Sequence, residues 1–292
     1  MDAPEDEASF DVMDPRFVGV LGFSFYAILF LAVSFQLKHH LTKGDFRLTL
    51  RKSFHTILWM YALLEALSYI PMAFEGATIY TKPFYIMHLL AISCDITAFS
   101  LVTVLWSRTL TLTPNERRFF SSSFPFVLIT ADAAFLVYSV FVCFDIVRYR
   151  AEQTNKEVDL DTWAKSSPSY KHLLIAEPCA LSFNALCVIV YGAKMVYKLV
   201  SLRNWPTLPR QVQLRILTQT FFTMFSCAFC YLLRSLMLVL EYSRIERSDS
   251  LMDTNAAWWF GAIWIPTIVP SCLLLFTMRN LDKAKVSQVD FS

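Results

Sequence analysis

Seven stretches of the chain are each long and apolar enough to cross a lipid bilayer. A helix needs about 20 apolar residues for this, and helices are favoured because the bilayer cannot satisfy unpaired backbone groups. Charged residues make up only 17% of the 292 residues. We therefore predict an all-α, polytopic membrane protein, a seven-transmembrane-helix bundle. The predicted spans are Phe17–Leu37, Ser53–Phe74, Phe84–Trp106, Phe124–Phe144, Leu173–Ala193, Ile216–Leu240 and Ala256–Met278.

Lys and Arg residues outside the spans are distributed unequally between the two sides. The N-terminus and the second, fourth and sixth connections hold nine of them, and the first, third and fifth connections with the C-terminal tail hold sixteen. Because cytosolic loops carry the excess of Lys and Arg, the N-terminus is predicted to be lumenal or extracellular and the C-terminus cytosolic. Two connections form a candidate cytosolic basic surface of Lys38, Lys43, Arg47, Arg51, Lys52, Lys194, Lys198, Arg203, Arg210 and Arg215.

The first predicted span follows an acidic leader rather than the basic start of a cleaved signal peptide. We therefore expect this helix to be retained. The chain then divides into an acidic lumenal N-terminus at residues 1–16, a seven-helix domain at 17–285 and a short cytosolic tail at 286–292. The longest connection, 145–172, is too short for a soluble catalytic domain.

Five ionisable residues and one histidine within the spans form a candidate intramembrane polar network. A charge at the middle of a membrane helix costs about 2.5–3.5 kcal/mol on insertion scales, so such groups usually face the bundle interior and pair. Arg234 is expected to pair with Glu65 or Asp95. The predicted network consists of Glu65, His88, Asp95, Asp132, Glu177 and Arg234.

Helical spacing places neutral polar residues beside these charges. One stripe of the sixth helix carries Thr220, Thr223, Cys227, Tyr231 and Arg234. The pattern predicts a polar interior tilted toward the lumenal half. Three roles remain open for it, namely structural pairing between helices, a ligand or ion pocket, and a proton relay.

The seventh predicted helix carries two prolines on one face, Pro266 and Pro270. Proline removes a backbone donor and kinks a helix, so the pair is a candidate hinge or a fixed kink. Trp258 and Trp259 stand at the lumenal end of this helix, where membrane proteins place interfacial aromatic residues.

No arrangement of residues typical of a membrane-embedded enzyme is recognised. Only His55 and His88 of the five histidines lie in spans, near opposite ends, so no three-ligand zinc set is visible. Cys227 and Cys230 form a C-x-x-C inside an apolar helix, where small packing residues are the better interpretation. We therefore predict no enzyme activity, no catalytic residues, no cofactor and no metal ligands.

Five short motifs occur in an order that resembles a known family. They are Lys52–His55, Trp106, Tyr191–Gly192, Cys230–Arg234 and Pro270–Leu281. In that order they are similar to the seven-helix THH domain of plant tobamovirus-multiplication proteins, and to animal orphan lysosomal seven-helix proteins. The sequence departs from the family pattern with Ser107 and Arg108 where an acid is usual, Thr267 where a Glu is frequent, and Glu65 where an Arg is frequent.

The resemblance implies a receptor-like or scaffold protein of a vacuolar or lysosomal endomembrane, without catalytic activity. It implies partners among cytosolic proteins such as small GTPases or trafficking proteins, beside the lipid bilayer. We expect no nucleic-acid partner, and the ligand is unidentified.

Two alternatives remain. One is a G-protein-coupled type of receptor at the plasma membrane, although the third helix ends in Leu105-Trp106-Ser107-Arg108 without an Asp-Arg-Tyr motif. The other is a proton-linked transporter that uses the carboxyl groups of Glu65, Asp95 and Asp132.

Overall fold

The computed structural model describes residues 14–42, 49–75, 82–109, 123–151, 160–201, 210–246 and 256–289, and 98% of them are helical. No strand occurs among these residues, so the all-α prediction is confirmed. The helices are Pro15–Thr42, Leu50–Ser68, Ile70–Glu75, Lys82–Thr109, Phe124–Ala151, Leu160–Ser166, Pro168–Ser201, Arg210–Glu246, Ala256–Trp258 and Ile265–Val289, with a π-helical turn at Trp259–Trp264.

Seven helical segments are long and apolar enough to span a membrane, which confirms the predicted number. The chain is therefore an integral multi-pass protein embedded in a lipid bilayer. The first to seventh spans are Pro15–His39, Leu50–Phe74, Pro83–Leu105, Phe124–Arg148, Pro168–Lys194, Leu217–Ile245 and Ala256–Thr277. The fifth span begins before its predicted first residue, Leu173, and the sixth span ends after its predicted last residue, Leu240. Both helices continue beyond the apolar stretch.

The third span lies at the centre of the bundle and the fourth at its edge. In the third span 67% of the most apolar stretch is buried, against 22% in the fourth. The fourth span packs mainly on the third and, less extensively, on the fifth, while the first span closes against the seventh. We call the end where the first span begins the amino end of the bundle, and the opposite end the carboxyl end.

The second span contains a break at Tyr69, where the helix Leu50–Ser68 gives way to Ile70–Glu75. Pro71 has no N–H to donate to the carbonyl of Leu67, and the N–H of Tyr69 donates to that carbonyl instead. The break leaves the Tyr69 ring fully buried and stacked on Tyr26, with ring centroids 5.7 Å apart. It therefore fixes the first span against the second.

The seventh span remains helical through both candidate hinge residues. Pro266 and Pro270 are buried within it, and the π-helical turn precedes them, where the N–H of Ile265 donates to the carbonyl of Phe260. The hydroxyl of Thr267 donates to the carbonyl of Ile263 at 2.6 Å. The helix continues through Pro270 to Val289 without a break.

Trp259 lies near the start of the seventh span, but it does not have the lipid-facing ring expected of an interfacial aromatic residue. Its side chain is 1% exposed, and its ring contacts Tyr69, Phe84 and Trp264. The π-helical turn that begins at this residue turns the ring inward, whereas Trp258 stays partly exposed.

Gly19 marks the closest approach between the first and second spans. A Cβ built on this glycine would overlap the backbone of Ala73 and lie 2.6 Å from the carbonyl carbon of Met72. Because backbone atoms cannot move aside as a flexible side chain can, we expect Gly19→Ala to lower the free energy of unfolding by about 1–3 kcal/mol. Thermal unfolding in detergent, followed by tryptophan fluorescence, measures this.

Gly261 provides the matched control for that substitution. A Cβ at Gly261 would meet only the flexible side chain of Met237, at 3.5 Å. Gly261→Ala should therefore melt within a degree or two of the parent protein. Equal melting temperatures for the two variants would contradict the close approach at Gly19.

Candidate functional site

A buried ion pair joins the fifth and sixth spans. Nε and Nη2 of Arg234 both donate to Oε1 of Glu177, at 3.0 and 2.7 Å. The two side chains are only 3% and 4% exposed. Arg234 lies three residues from the centre of its span, which corresponds to about 4.5 Å at 1.5 Å per residue. The pair thus lies deep within the bilayer.

The predicted partner of Arg234 was wrong. The structure pairs it with Glu177 rather than with Glu65 or Asp95, because the fifth and sixth spans pack antiparallel and bring these two residues to one level. Adjacent hydrogen bonds hold the alignment: the hydroxyl of Ser235 donates to the carbonyl of Pro178 at 3.1 Å, and that of Ser182 donates to Ser235 at 3.2 Å. Sequence reasoning did not identify these two serines.

A second acid–base pair joins the second and third spans. Nδ1 of His88 donates to Oε1 of Glu65 at 2.8 Å. The Glu65 side chain is 1% exposed and that of His88 is 15% exposed. Phe84 stacks on the imidazole ring with centroids 5.4 Å apart. The geometry aligns the imidazole with the carboxyl group and shields both from lipid.

Asp95 lies on the third span between these two pairs. Its side chain is buried, and Oδ1 has no hydrogen-bond partner among the described residues. The charges of Arg234, Glu65 and Glu177 all act on it. We call Glu65, His88, Asp95, Glu177 and Arg234 the ionic cluster.

The interior contains more polar atoms than the described residues can pair. Besides Asp95, the buried atoms without a hydrogen-bond partner are Oε2 of Glu65, the hydroxyl of Tyr231 and Oγ of Ser271. Buried polar groups nearly always bond to protein or to ordered water. The ionic cluster and its surroundings are therefore suited to bound water or a small polar ligand.

A cleft leads from the amino end toward the ionic cluster. Tyr85, Tyr170 and Trp258 line it near the starts of the third, fifth and seventh spans, and Glu177 and Arg234 line it deeper in the bundle. Its volume is about 60 Å³, and a water molecule needs about 10–15 Å³ by the same measure. The cleft therefore has room for a few water molecules.

A layer of tyrosines joins the first, second and seventh spans beside the cluster. The hydroxyls of Tyr26 and Thr267 are hydrogen-bonded at 2.8 Å, and the hydroxyl of Tyr61 donates to Tyr26 at 3.4 Å. Nε1 of Trp264 donates to the hydroxyl of Tyr69 at 3.3 Å. Sequence reasoning missed this layer. The available signal was the presence of tyrosines, such as Tyr26 and Tyr61, far from the ends of their spans, where a hydroxyl needs a partner inside the bundle.

Asp132 does not join the ionic cluster. Its Oδ1 accepts a hydrogen bond from Ser100 at 3.1 Å, and the same hydroxyl lies 3.4 Å from Oδ1 of Asn184. The predicted single network is therefore two separate groups, because Asp132 is on the peripheral fourth span and faces a groove beside the third.

The described part of the predicted basic surface lies at the carboxyl end of the bundle. Lys38, Lys194 and Arg215 are exposed, and Arg51 and Lys52 are half-buried. Lys43, Arg47 and Arg203 lie outside the described residues, as do the side chains of Lys198 and Arg210. The ionic cluster and these cations thus lie at different depths of one bundle.

The chemistry available to the ionic cluster is the binding of small polar groups and the transfer of protons. It contains three carboxyl groups, one guanidinium and one imidazole. Within the described ranges, no group of three or more His, Cys, Asp or Glu side chains has the arrangement of a metal site.

The Arg234–Glu177 pair makes a double-mutant cycle informative. Removing one partner of a buried ion pair costs about 3–5 kcal/mol because the other charge is left uncompensated. We expect Arg234→Gln and Glu177→Gln each to destabilise strongly, and the double variant to lose much less than their sum. Equilibrium unfolding in mixed micelles measures the coupling.

A neutral pair between the sixth and seventh spans is the control for this cycle. The hydroxyls of Thr223 and Thr277 are hydrogen-bonded at 3.0 Å, and such bonds contribute about 0.6 kcal/mol in membrane proteins. The cycle of Thr223→Val and Thr277→Val should show this small coupling. Additive effects in the Arg234–Glu177 cycle would mean that the two groups do not form an ion pair.

Comparison with known proteins identifies no relative. The chain matches no protein-family model, no curated protein and no solved structure. The functional argument therefore depends on the geometry described above.

Proposed function

We propose that this chain is a receptor-like or scaffold protein of an endomembrane, which acts through protein contacts at its cytosolic end. The observation that carries the proposal is the position of the ionic cluster. It is approached by a cleft from the amino end, while the described cations of the basic surface lie at the opposite end. Such a separation suits a protein that binds a ligand on one side and partners on the other.

The interior beyond the ionic cluster is filled rather than open. Tyr231 packs edge-on against Phe99 with ring centroids 4.6 Å apart, and both side chains are 1% exposed. A transporter must expose a mid-membrane site to both sides in turn. In this structure the packed aromatic contact closes the interior beyond the cluster, as expected of a receptor or scaffold.

The sixth span gives the two ends a physical connection. One helix, Arg210–Glu246, carries Arg215 at the carboxyl end and Arg234 in the ionic cluster. These residues are about 28 Å apart along the helix at 1.5 Å per residue. A rotation of this helix that breaks the contact with Glu177 would also move the basic surface.

The predicted membrane orientation is part of this proposal. The amino end faces the lumen of a vacuole or lysosome, and the carboxyl end faces the cytosol. Cations there contribute about 1 kcal/mol each toward anionic lipid headgroups. The partners are cytosolic proteins, such as small GTPases or trafficking proteins, in keeping with the resemblance to THH-domain proteins.

A proton-linked transporter is the second candidate, and one observation favours it. The buried Oδ1 of Asp95 has no described hydrogen-bond partner, and a carboxyl group in that state can take up and release a proton. Asp95→Asn distinguishes the candidates, because it would abolish proton-coupled flux in a transporter and leave the contacts of a scaffold in place.

Proximity labelling tests the main proposal in the native cell. A biotin ligase is fused to the C-terminus after Ser292, and microscopy locates this tag in the same cells. We expect vacuolar or lysosomal signal, with small-GTPase or trafficking proteins among the neighbours. Neutralising Lys38, Lys194 and Arg215 to Gln should reduce the labelling of these neighbours by up to about a hundredfold, since the three charges together contribute about 3 kcal/mol toward an anionic surface.

A matched variant controls for charge and topology. Arg16→Gln with Lys171→Gln removes cations from the amino end and should leave the neighbours unchanged. A pH-sensitive fluorophore on the tail reports its compartment in each variant. Plasma-membrane signal with heterotrimeric G-protein neighbours would contradict the proposal and favour the receptor alternative.

A further inference from the structure

A groove on the membrane-facing side of the bundle separates the third and fourth spans. Its volume is about 210 Å³, larger than that of the cleft near the ionic cluster. The lining is apolar apart from three side chains, Thr97, Ser100 and Asp132. The groove therefore exposes a carboxyl group to the interior of the bilayer.

Asp132 is only partly satisfied by its own chain. Its Oδ1 accepts the hydrogen bond from Ser100, and no second bond or ion pair to Asp132 occurs among the described residues. No charged side chain of the ionic cluster acts on it. A charged carboxyl group at this depth is costly unless it finds a partner, so a donor from outside the chain would stabilise the ionised form of Asp132.

The depth of Asp132 selects the kind of partner. It lies eight residues after Phe124, or about 12 Å along the helix, in a hydrocarbon core about 30 Å thick. Lipid headgroups lie at the membrane surface and do not carry donors to that level. A transmembrane helix presents a side chain at any depth.

The surface of the fourth span around Asp132 permits close approach of a helix. Thr130, Ala131, Ala133 and Ala134 are all exposed. Bulky exposed side chains border this five-residue segment on either side, at Ile129 and Leu136. Small residues let two membrane helices bring their backbones together.

We propose that the groove between the third and fourth spans is the docking site of another protein's transmembrane helix, which carries a Lys or Arg level with Asp132. A cation complements the carboxyl group, and intramembrane charges typically pair in this way. A second copy of this chain offers no such cation, because Arg234 is its only Lys or Arg away from the span ends and is buried. This site is separate from the ionic cluster and does not depend on the function proposed above.

Energy transfer between fluorescent proteins tests the docking in cells. The full chain carries one fluorophore on its C-terminus, and a designed Leu/Ala single-span helix carries the other. The designed helix has one Lys level with Asp132, one Lys seven residues away, or no Lys. We expect the helix whose Lys is level with Asp132 to associate roughly tenfold more strongly than the other two helices.

Variants of the full chain assign this preference to the groove. Asp132→Asn should abolish it, because the amide still accepts the bond from Ser100 but carries no charge, and Asp132→Glu should retain it. Ala133→Phe should abolish it by filling the approach while leaving the carboxyl group in place. Thr218→Val, on an exposed surface of the sixth span, is the matched control and should behave as the parent. Size-exclusion profiles establish that each variant is folded.

Four outcomes would overturn the proposal. Association that is independent of the position of the Lys would exclude charge pairing at this depth. A preference that survives both Asp132→Asn and Ala133→Phe would place docking elsewhere. Asp132-dependent transfer between two copies of this chain, or groove labelling by photoreactive cholesterol that the Lys helix does not displace, would assign the groove to a second copy or to a lipid.

Discussion

The ion pair between Arg234 and Glu177 is the constraint around which this bundle is arranged. A guanidinium in the hydrocarbon core is tolerated only next to a counter-charge. That requirement fixes the level of the fifth span against the sixth, and the hydrogen bonds of Ser235 follow from this alignment. The third span packs on the fifth, meets the sixth through Phe99 and Tyr231, and brings Asp95 and His88 toward the pair, while the second span adds Glu65.

The sequence predicted the helices better than the contacts between them. Apolar length is a property of a single segment, so all seven spans could be located to within a few residues at most of their ends. The interior stripe of the sixth span was also correct, because Thr223, Cys227 and Arg234 are all buried. The partner of Arg234 was not predictable, since it depends on the rotation and vertical offset between two helices. Asp132 was grouped wrongly for the same reason: its depth was visible in the sequence, but the peripheral place of its helix was not.

The two groups of intramembrane acids have different surroundings and therefore different potential roles. The ionic cluster lies inside the bundle, on the second, third, fifth and sixth spans, and is approached along the cleft past Tyr85 and Trp258. Asp132 meets the bilayer from the side through a groove on the least buried span. One protein thus has a polar site approached along the membrane normal and a second carboxyl group approached within the membrane plane.

The π-helical turn at Trp259–Trp264 changes which faces of the seventh span can meet lipid. Two residues five apart on an α-helix differ by about 140° in direction, yet both Trp259 and Trp264 are buried and their rings lie 5.8 Å apart. The wider turn, which closes through a bond from residue i+5, accounts for this. The residues before and after the turn are consequently out of phase by about one residue, or about 100° of rotation, and a helical wheel drawn through Ala256–Thr277 with one α-helical period would misplace the few residues that precede the turn. The lipid-facing side of the seventh span therefore cannot be derived from its sequence by α-helical spacing alone.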